Sequence, residues 1–295
     1  MRVPFDMLLG ALKQSAGARR DAAASIRVAV YVDAGASSFL IETVRDAFVP
    51  QTTNGLVRVA PLEMRPTQPK ADTDIILVVT SGSDIVQAAV QELVISGAPV
   101  VVLAESSVEV PFIERDTPML GLICATEADH LLDSLASWIL CRTEKADAFA
   151  ANFTFMRSAV TNEIVRSAAV TNAVTGAFMF IPGANYPVMT VAQAGMALRL
   201  ASIHGYKIAP ERVYEVAGVA VAGLVFRGAA RAMTQRLPKC AFLIRGGVGG
   251  LGTLAMGVAL NAAYERGIDY APLNQWVGSV ASKLKGATGA SAQQE

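Results

Sequence analysis

Two stretches of this chain, Ile75-Ile-Leu-Val-Val79 and Val100-Val-Val-Leu103, are unbroken runs of large aliphatic residues, most of them β-branched. Side chains alternate across a strand, so a run without polar alternation fits a strand only when both faces of its sheet are covered. The two runs therefore belong at the centre of a parallel sheet with helices on either side. Neighbouring segments extend the pattern. Strands are predicted over 27–32, 56–62, 74–79, 99–104 and 118–124, with helices over 37–48, 84–96 and 127–141. Strand and helix in alternation make residues 26–145 a mainly parallel α/β sandwich.

Ligands of such sheets bind beyond the carboxyl ends of the strands, so the residues there decide what chemistry is available. The first strand ends in Asp33-Ala-Gly35-Ala-Ser37-Ser38. A phosphate-binding loop needs GxxxxGK[ST], whose backbone amides surround the phosphates while the lysine neutralises them. Here the lysine is missing and one glycine stands for two, so Asp33, Gly35, Ser37 and Ser38 occupy a vestigial phosphate-loop position. The third strand ends in Thr80-Ser-Gly-Ser-Asp84, a composition that suits a helix cap.

Taken together, RVAVYVDAGASS, ADTDIILVVTSGSD, GAPVVVLAES and LICATEADHLLDSLASWI resemble a Ras-type small GTPase domain over residues 26–142. The resemblance implies a guanine-reading Asn-Lys-x-Asp after the fourth strand, where Ala104-Glu-Ser-Ser107 stands instead. A Ser-Ala contact to the base is only echoed by Cys124-Ala-Thr126, and MRPTQPKAD lacks the DxxG that senses a γ-phosphate. These departures imply a degenerate, non-hydrolysing pseudo-GTPase. A receiver domain is the rival parent. It would need a phospho-accepting aspartate after the third strand and a lysine after the fifth, where Thr80-Ser81 and Cys124-Ala125 stand.

Beyond Lys145 the strand pattern stops, and Ala, Gly, Met and Val dominate a second, all-α half over 146–283. From Ser167 to Leu198 there is no charged residue for 32 positions. About 20 apolar residues cross a bilayer, yet Ile181-Pro-Gly-Ala-Asn-Tyr-Pro187 breaks this run into two shorter arms of a helical hairpin. Val188, Val191, Ala194 and Leu198 give the second arm an apolar face. Apolar stretches follow at 216–226 and 246–264. The last contains Gly247-Val-Gly-Gly-Leu-Gly252, a match to the dinucleotide fingerprint after a CAFLI segment that could be a strand. The following IDYAPLNQW lacks the acid-terminated strand that such a site requires. The glycines, Gly246 and Gly250 among them, instead suit close helix packing.

FIPGANYPVMTVAQAGMALRLASIHGYKI with VAGVAVAGLVFRGAARAMTQRLP resembles the YcjF-like domain of unknown function over about residues 155–266. Ile181-Pro182, Gly205-Tyr206 and the Gly/Ala-rich segments carry the likeness. It implies a bacterial protein with a GTPase-like head and a membrane-related helical tail, and no known catalysis. Residues 1–25 read as an amphipathic helix built on Leu8, Leu9 and Leu12 with Lys13, Arg19 and Arg20, suited to docking on the protein itself or on a membrane surface. Residues 284–295 are expected to be a flexible tail.

Charge separates the halves. Residues 1–150 carry 12 Lys/Arg and 19 Asp/Glu, a balance of −7, and the remainder carries +7. Arg227, Arg231, Arg236, Lys239 and Arg245 surround the apolar segments, as cytoplasmic flanks of membrane segments do. They are too dispersed, with too few aromatics, for nucleic acid. Cys124, Cys141 and Cys240 form no CxxC pair, and neither His130 nor His204 lies in a catalytic motif. No catalytic residue, cofactor or metal is expected. The resulting expectation is a non-enzymatic scaffold or adaptor on the cytoplasmic face of a bacterial inner membrane. Its head would meet a protein partner, residues 167–264 the membrane, and a homo-oligomer is compatible with both. The alternatives are a nucleotide-binding switch that keeps weak phosphate binding, and a cytoplasmic helical interaction protein.

Overall fold

The computed structural model describes residues 16–178, 185–206, 223, 228, 230–236 and 240–267. Five parallel strands form one sheet: β1 (Ile26–Val32), β2 (Gly55–Pro61), β3 (Ile75–Val79), β4 (Val100–Ala104) and β5 (Leu120–Cys124). Helices α1 (Ser38–Ala47), α2 (Val86–Ile95) and α3 (Ala128–Leu140) alternate with them. Every strand and helix expected in this half is present, its ends within two residues of those read from the sequence. All residues of β3 and β4 are buried, as their unbroken apolar runs require. On one face Val86, Ala89, Val90 and Leu93 of α2 cover Ile76, Val78, Val100 and Val102. Each Val, Leu or Ile among them contributes about 1.5–3 kcal/mol on full burial.

The spatial order is β2-β1-β3-β4-β5. This is the flavodoxin-like doubly wound order, with its topological switch point between β1 and β3. No helix fills the connection from β2 to β3. It returns as irregular chain over 62–74, tied down by the Tyr31 hydroxyl donating to the Thr67 carbonyl at 2.5 Å and by Arg27 paired with Asp72.

Two further helices, α4 (Ala146–Asn152) and the start of α5 (Met156–Phe178), belong to the same body as the sheet. Phe48 at the end of α1 meets Phe153 and Phe155 at ring-centroid distances of 4.9 and 5.1 Å. Buried Asn152 takes the Thr52 hydroxyl on its Oδ1 at 2.7 Å and the Gln51 amide on its carbonyl at 2.9 Å. A Cβ at Gly55 would stand 2.7 Å from that Oδ1, so only glycine fits.

The chain divides into two compact units. The first is Met1–Ala168 with Leu198–Lys207, and the second is Ala169–Ala197 with Ile208–Glu295. The described part of the second is helical: α5 from Ala169, α6 (Asn185–Ile203) to Ala197, and α7 (Ala241–Arg266). The CAFLI segment is not a strand, because Ala241 onward is already α7. Gly247 to Gly252 sit in the middle of that helix, so their amides are spent on its own turns and form no loop around a pyrophosphate. Residues 1–15, the break at 181–184, most of 216–226 and the tail lie outside the described residues.

Candidate functional site

The residues singled out at the end of β1 meet the end of β3 at the switch point. Asp33 follows β1 and is 3% exposed, and Thr80 follows β3 and is fully buried. The Thr80 hydroxyl donates to Asp33 Oδ2 at 2.7 Å, and its oxygen accepts the Gly82 amide at 2.9 Å. The Asp33 amide donates to the Val79 carbonyl. An acid is thus fixed where a doubly wound protein would place an anionic ligand, and repulsion disfavours a phosphate beside it. Ser37 caps α1, its Oγ accepting the Leu40 amide at 3.3 Å. Gly35 has nothing within 4 Å of where a Cβ would stand, and Ser38 is the exposed first residue of α1. Asp33 and Ser37 are therefore structural, while Gly35 and Ser38 face open space.

The loop after β3 differs from its sequence reading. Neither Ser83 nor Asp84 caps α2, whose N-cap is Ile85 without a side-chain hydrogen bond. Gly82 instead turns the chain at φ +84°, where a Cβ would collide with the Glu109 carbonyl in the short 3-10 turn Ser107–Glu109. Glu109 Oε2 accepts the Glu105 amide at 3.3 Å. Burial, and then the charge of Glu109, push the Cys124 thiol above its ordinary range, which makes it a poor nucleophile at neutral pH. His130 is exposed on α3. Among the described residues no three His, Cys, Asp or Glu side chains gather as a metal site requires.

Two surfaces have more to offer than the strand ends. Where the crossover helix is missing, a groove of about 320 Å³ opens over β1 and β2. Its rim carries Arg58 and Lys70, both exposed. In the second unit, α7 packs by its glycines. A Cβ at Gly246 would stand 2.9 Å from the Ala173 carbonyl, and one at Gly249 would stand 2.8 Å from that of Asn172. Thr253, fully buried, accepts Asn172 Nδ2 at 2.8 Å and Gln193 Nε2 at 3.1 Å and donates to the Gly249 carbonyl. Another face of α7 is uncovered. Leu243, Leu251 and Val258 are 61%, 69% and 66% exposed, with Leu254 beside them at 39%. Their spacing of four, seven and eight residues makes one stripe. This helix is long and apolar enough to cross a membrane.

No family model, curated protein or solved structure matches the chain. Sequence reasoning identified the charge-free segment 246–264 but not which of its residues point outward. The signal lay in the glycines. Gly246, Gly249 and Gly250 share one side of a helix, which marks the packed side and leaves 247, 251 and 258 farthest from it, with 243 and 254 at its edge. The Asp33–Thr80 bond was not legible, because it joins strands 47 residues apart.

Proposed function

We propose that this protein is a membrane-associated adaptor without catalytic activity, whose α/β head meets a protein partner and whose helical unit sits against or in a bilayer. The observation that carries the reading is the apolar stripe of α7. Large aliphatic side chains two-thirds exposed along one face of a 19-residue charge-free helix segment are costly in water and favourable in hydrocarbon. Nineteen residues of helix rise about 28 Å, close to the roughly 30 Å thickness of a bilayer core. The likeness of this half to the YcjF-like domain points the same way.

For the head, the flavodoxin-like strand order favours the receiver-type parent over the Ras-type one. Either parent would have lost its phosphate chemistry. The switch point holds a buried carboxylate, and neither 33–38 nor 80–84 contains a cation. The groove rimmed by Arg58 and Lys70, positive within an acidic half, suits an acidic segment of a partner.

Fractionation tests the reading. The full chain should sediment with membranes at high speed and enter the supernatant on adding detergent, and L251E/V258E should release it without detergent. Wild-type protein that stays in the supernatant throughout would overturn the membrane reading. Titration of GTP and ATP with magnesium should give no micromolar binding, and such binding lost in G35V would overturn the nucleotide-free head.

A further inference from the structure

The N-terminal end of α7 differs in character from the stripe. Phe242 is 51% and Leu243 61% exposed there, beside exposed Arg245, and the helical residues 230–236 that precede it in the chain expose Met233, at 48%, and Arg236. Residues 230–236 are helical and α7 begins at Ala241, so arginine, an aromatic ring and aliphatic side chains fall within a short span of chain. Such a mixture is what the headgroup level of a bilayer accepts. The rings and aliphatics enter the acyl boundary while the guanidinium groups stay with phosphate. Charge along the chain is one-sided. Between Glu215 and Glu265 there is no acidic residue, and all five cations of that interval, Arg227, Arg231, Arg236, Lys239 and Arg245, precede the charge-free segment. At the other end Arg266 stands next to Glu265 and is neutralised by it in net charge.

A helix with a neutral far end and a net positive sequence before its near end distinguishes between membranes. Zwitterionic lipid would take the apolar stripe and leave the arginines without counter-charge, whereas anionic lipid supplies it. Arginine also matches phosphate by a planar fork of donors, so its contacts are directional as well as electrostatic.

Resting on the membrane reading above, we infer that the N-terminal end of α7 and the helical residues 230–236 before it in the chain dock on anionic phospholipid, with Arg236 and Arg245 on the headgroup phosphates and Phe242 and Leu243 in the acyl boundary. This end of the helix is then the one at the anionic leaflet.

The test is vesicle flotation of the full-length chain synthesised in a cell-free reaction that contains the vesicles. One set is phosphatidylcholine alone, and the other carries phosphatidylglycerol as a quarter of its lipid. Recovery should favour the anionic vesicles. R236Q/R245Q should lower partitioning into them by about fivefold for each arginine, and R236K/R245K should retain most of it. The circular dichroism of the glutamine variant should be that of the parent, because both side chains are exposed. Equal recovery with both vesicles would overturn the inference while leaving membrane association standing. Anionic preference that survives R236Q/R245Q would also overturn it, by placing the recognition elsewhere. Recovery with neither vesicle would remove the membrane reading itself.

Discussion

Gly82 and Gly97 both hold the backbone in the left-handed region, at φ +84° and +88°, yet they face different surroundings. Any residue with a Cβ is strained there by roughly 1 kcal/mol. At Gly97, after α2, nothing lies within 4 Å of the new atom, so the strain is the whole cost. At Gly82 the Cβ runs into the Glu109 carbonyl, a backbone atom that can yield only if the 3-10 turn moves. That displacement would also pull on the Gly82 amide, which donates to Thr80 and so supports the hydroxyl bound to Asp33. Gly97→Ala is therefore expected to cost about 1 kcal/mol and Gly82→Ala about 3 kcal/mol or more. Urea unfolding midpoints at fixed m-value measure both. Equal costs would mean that the loop after β3 gives way freely and does not hold the switch point closed.

Elements differ in how much of them could be read from sequence. β3 and β4 were legible, because the β-branched residues of IILVV and VVVLA favour a strand and the lack of polar alternation requires it to be buried on both faces. The irregular β2–β3 connection was also readable, since MRPTQPKAD carries two prolines and no apolar period. The CAFLI start of α7 left strand and helix open, because five apolar residues fit either state. Its packing was not legible either, as glycines in a row do not say which of them faces a neighbour. The structure separates them: Gly249 lies within 3 Å of where α5 and Met189 leave no room for a Cβ, whereas Gly247 has open space. Valine at Gly249 should push α7 off α5 and disturb the Thr253 hydrogen bonds, at about 2–4 kcal/mol. The same change at Gly247 adds an apolar side chain to a face that is already apolar and should leave folding within about 1 kcal/mol. Protease protection of the α7 segment reports the difference. If Gly247→Val proved the more disruptive, the outward face would be packed and the stripe not free.

At the scale of the whole molecule, the two units are not simple successive blocks. The first unit gives up the chain at Ala168 and takes it back at Leu198, so a single cut cannot remove the second without also removing part of the first. A change of composition at Lys145 could not show this. The residues that return, 198–207, carry Arg199 and Lys207 where 169–197 carry no charge, but it takes a contact between distant segments to tie them to the sheet unit. That contact is Arg199, whose Nε and Nη2 reach the two carboxylate oxygens of Asp147 at 2.9 and 2.7 Å. The pair is unequal in exposure. The Asp147 side chain is 4% exposed and that of Arg199 is 43% exposed, so losing one partner does not mirror losing the other. Asp147→Ala leaves a guanidinium that can turn to water, and the expected cost is about 1 kcal/mol. Arg199→Ala leaves a carboxylate buried in α4 without its only cation among the described residues, and the expected cost is about 3 kcal/mol. The double variant should recover most of that larger loss, because it removes the stranded charge. Hydrogen exchange at the β3 and β4 amides reads the stability of the sheet unit selectively. Arg199→Ala should lower protection there far more than Asp147→Ala does. If the two variants exchange alike, residues 198–207 are not needed to hold the sheet unit, and a head ending at Ala168 would be complete.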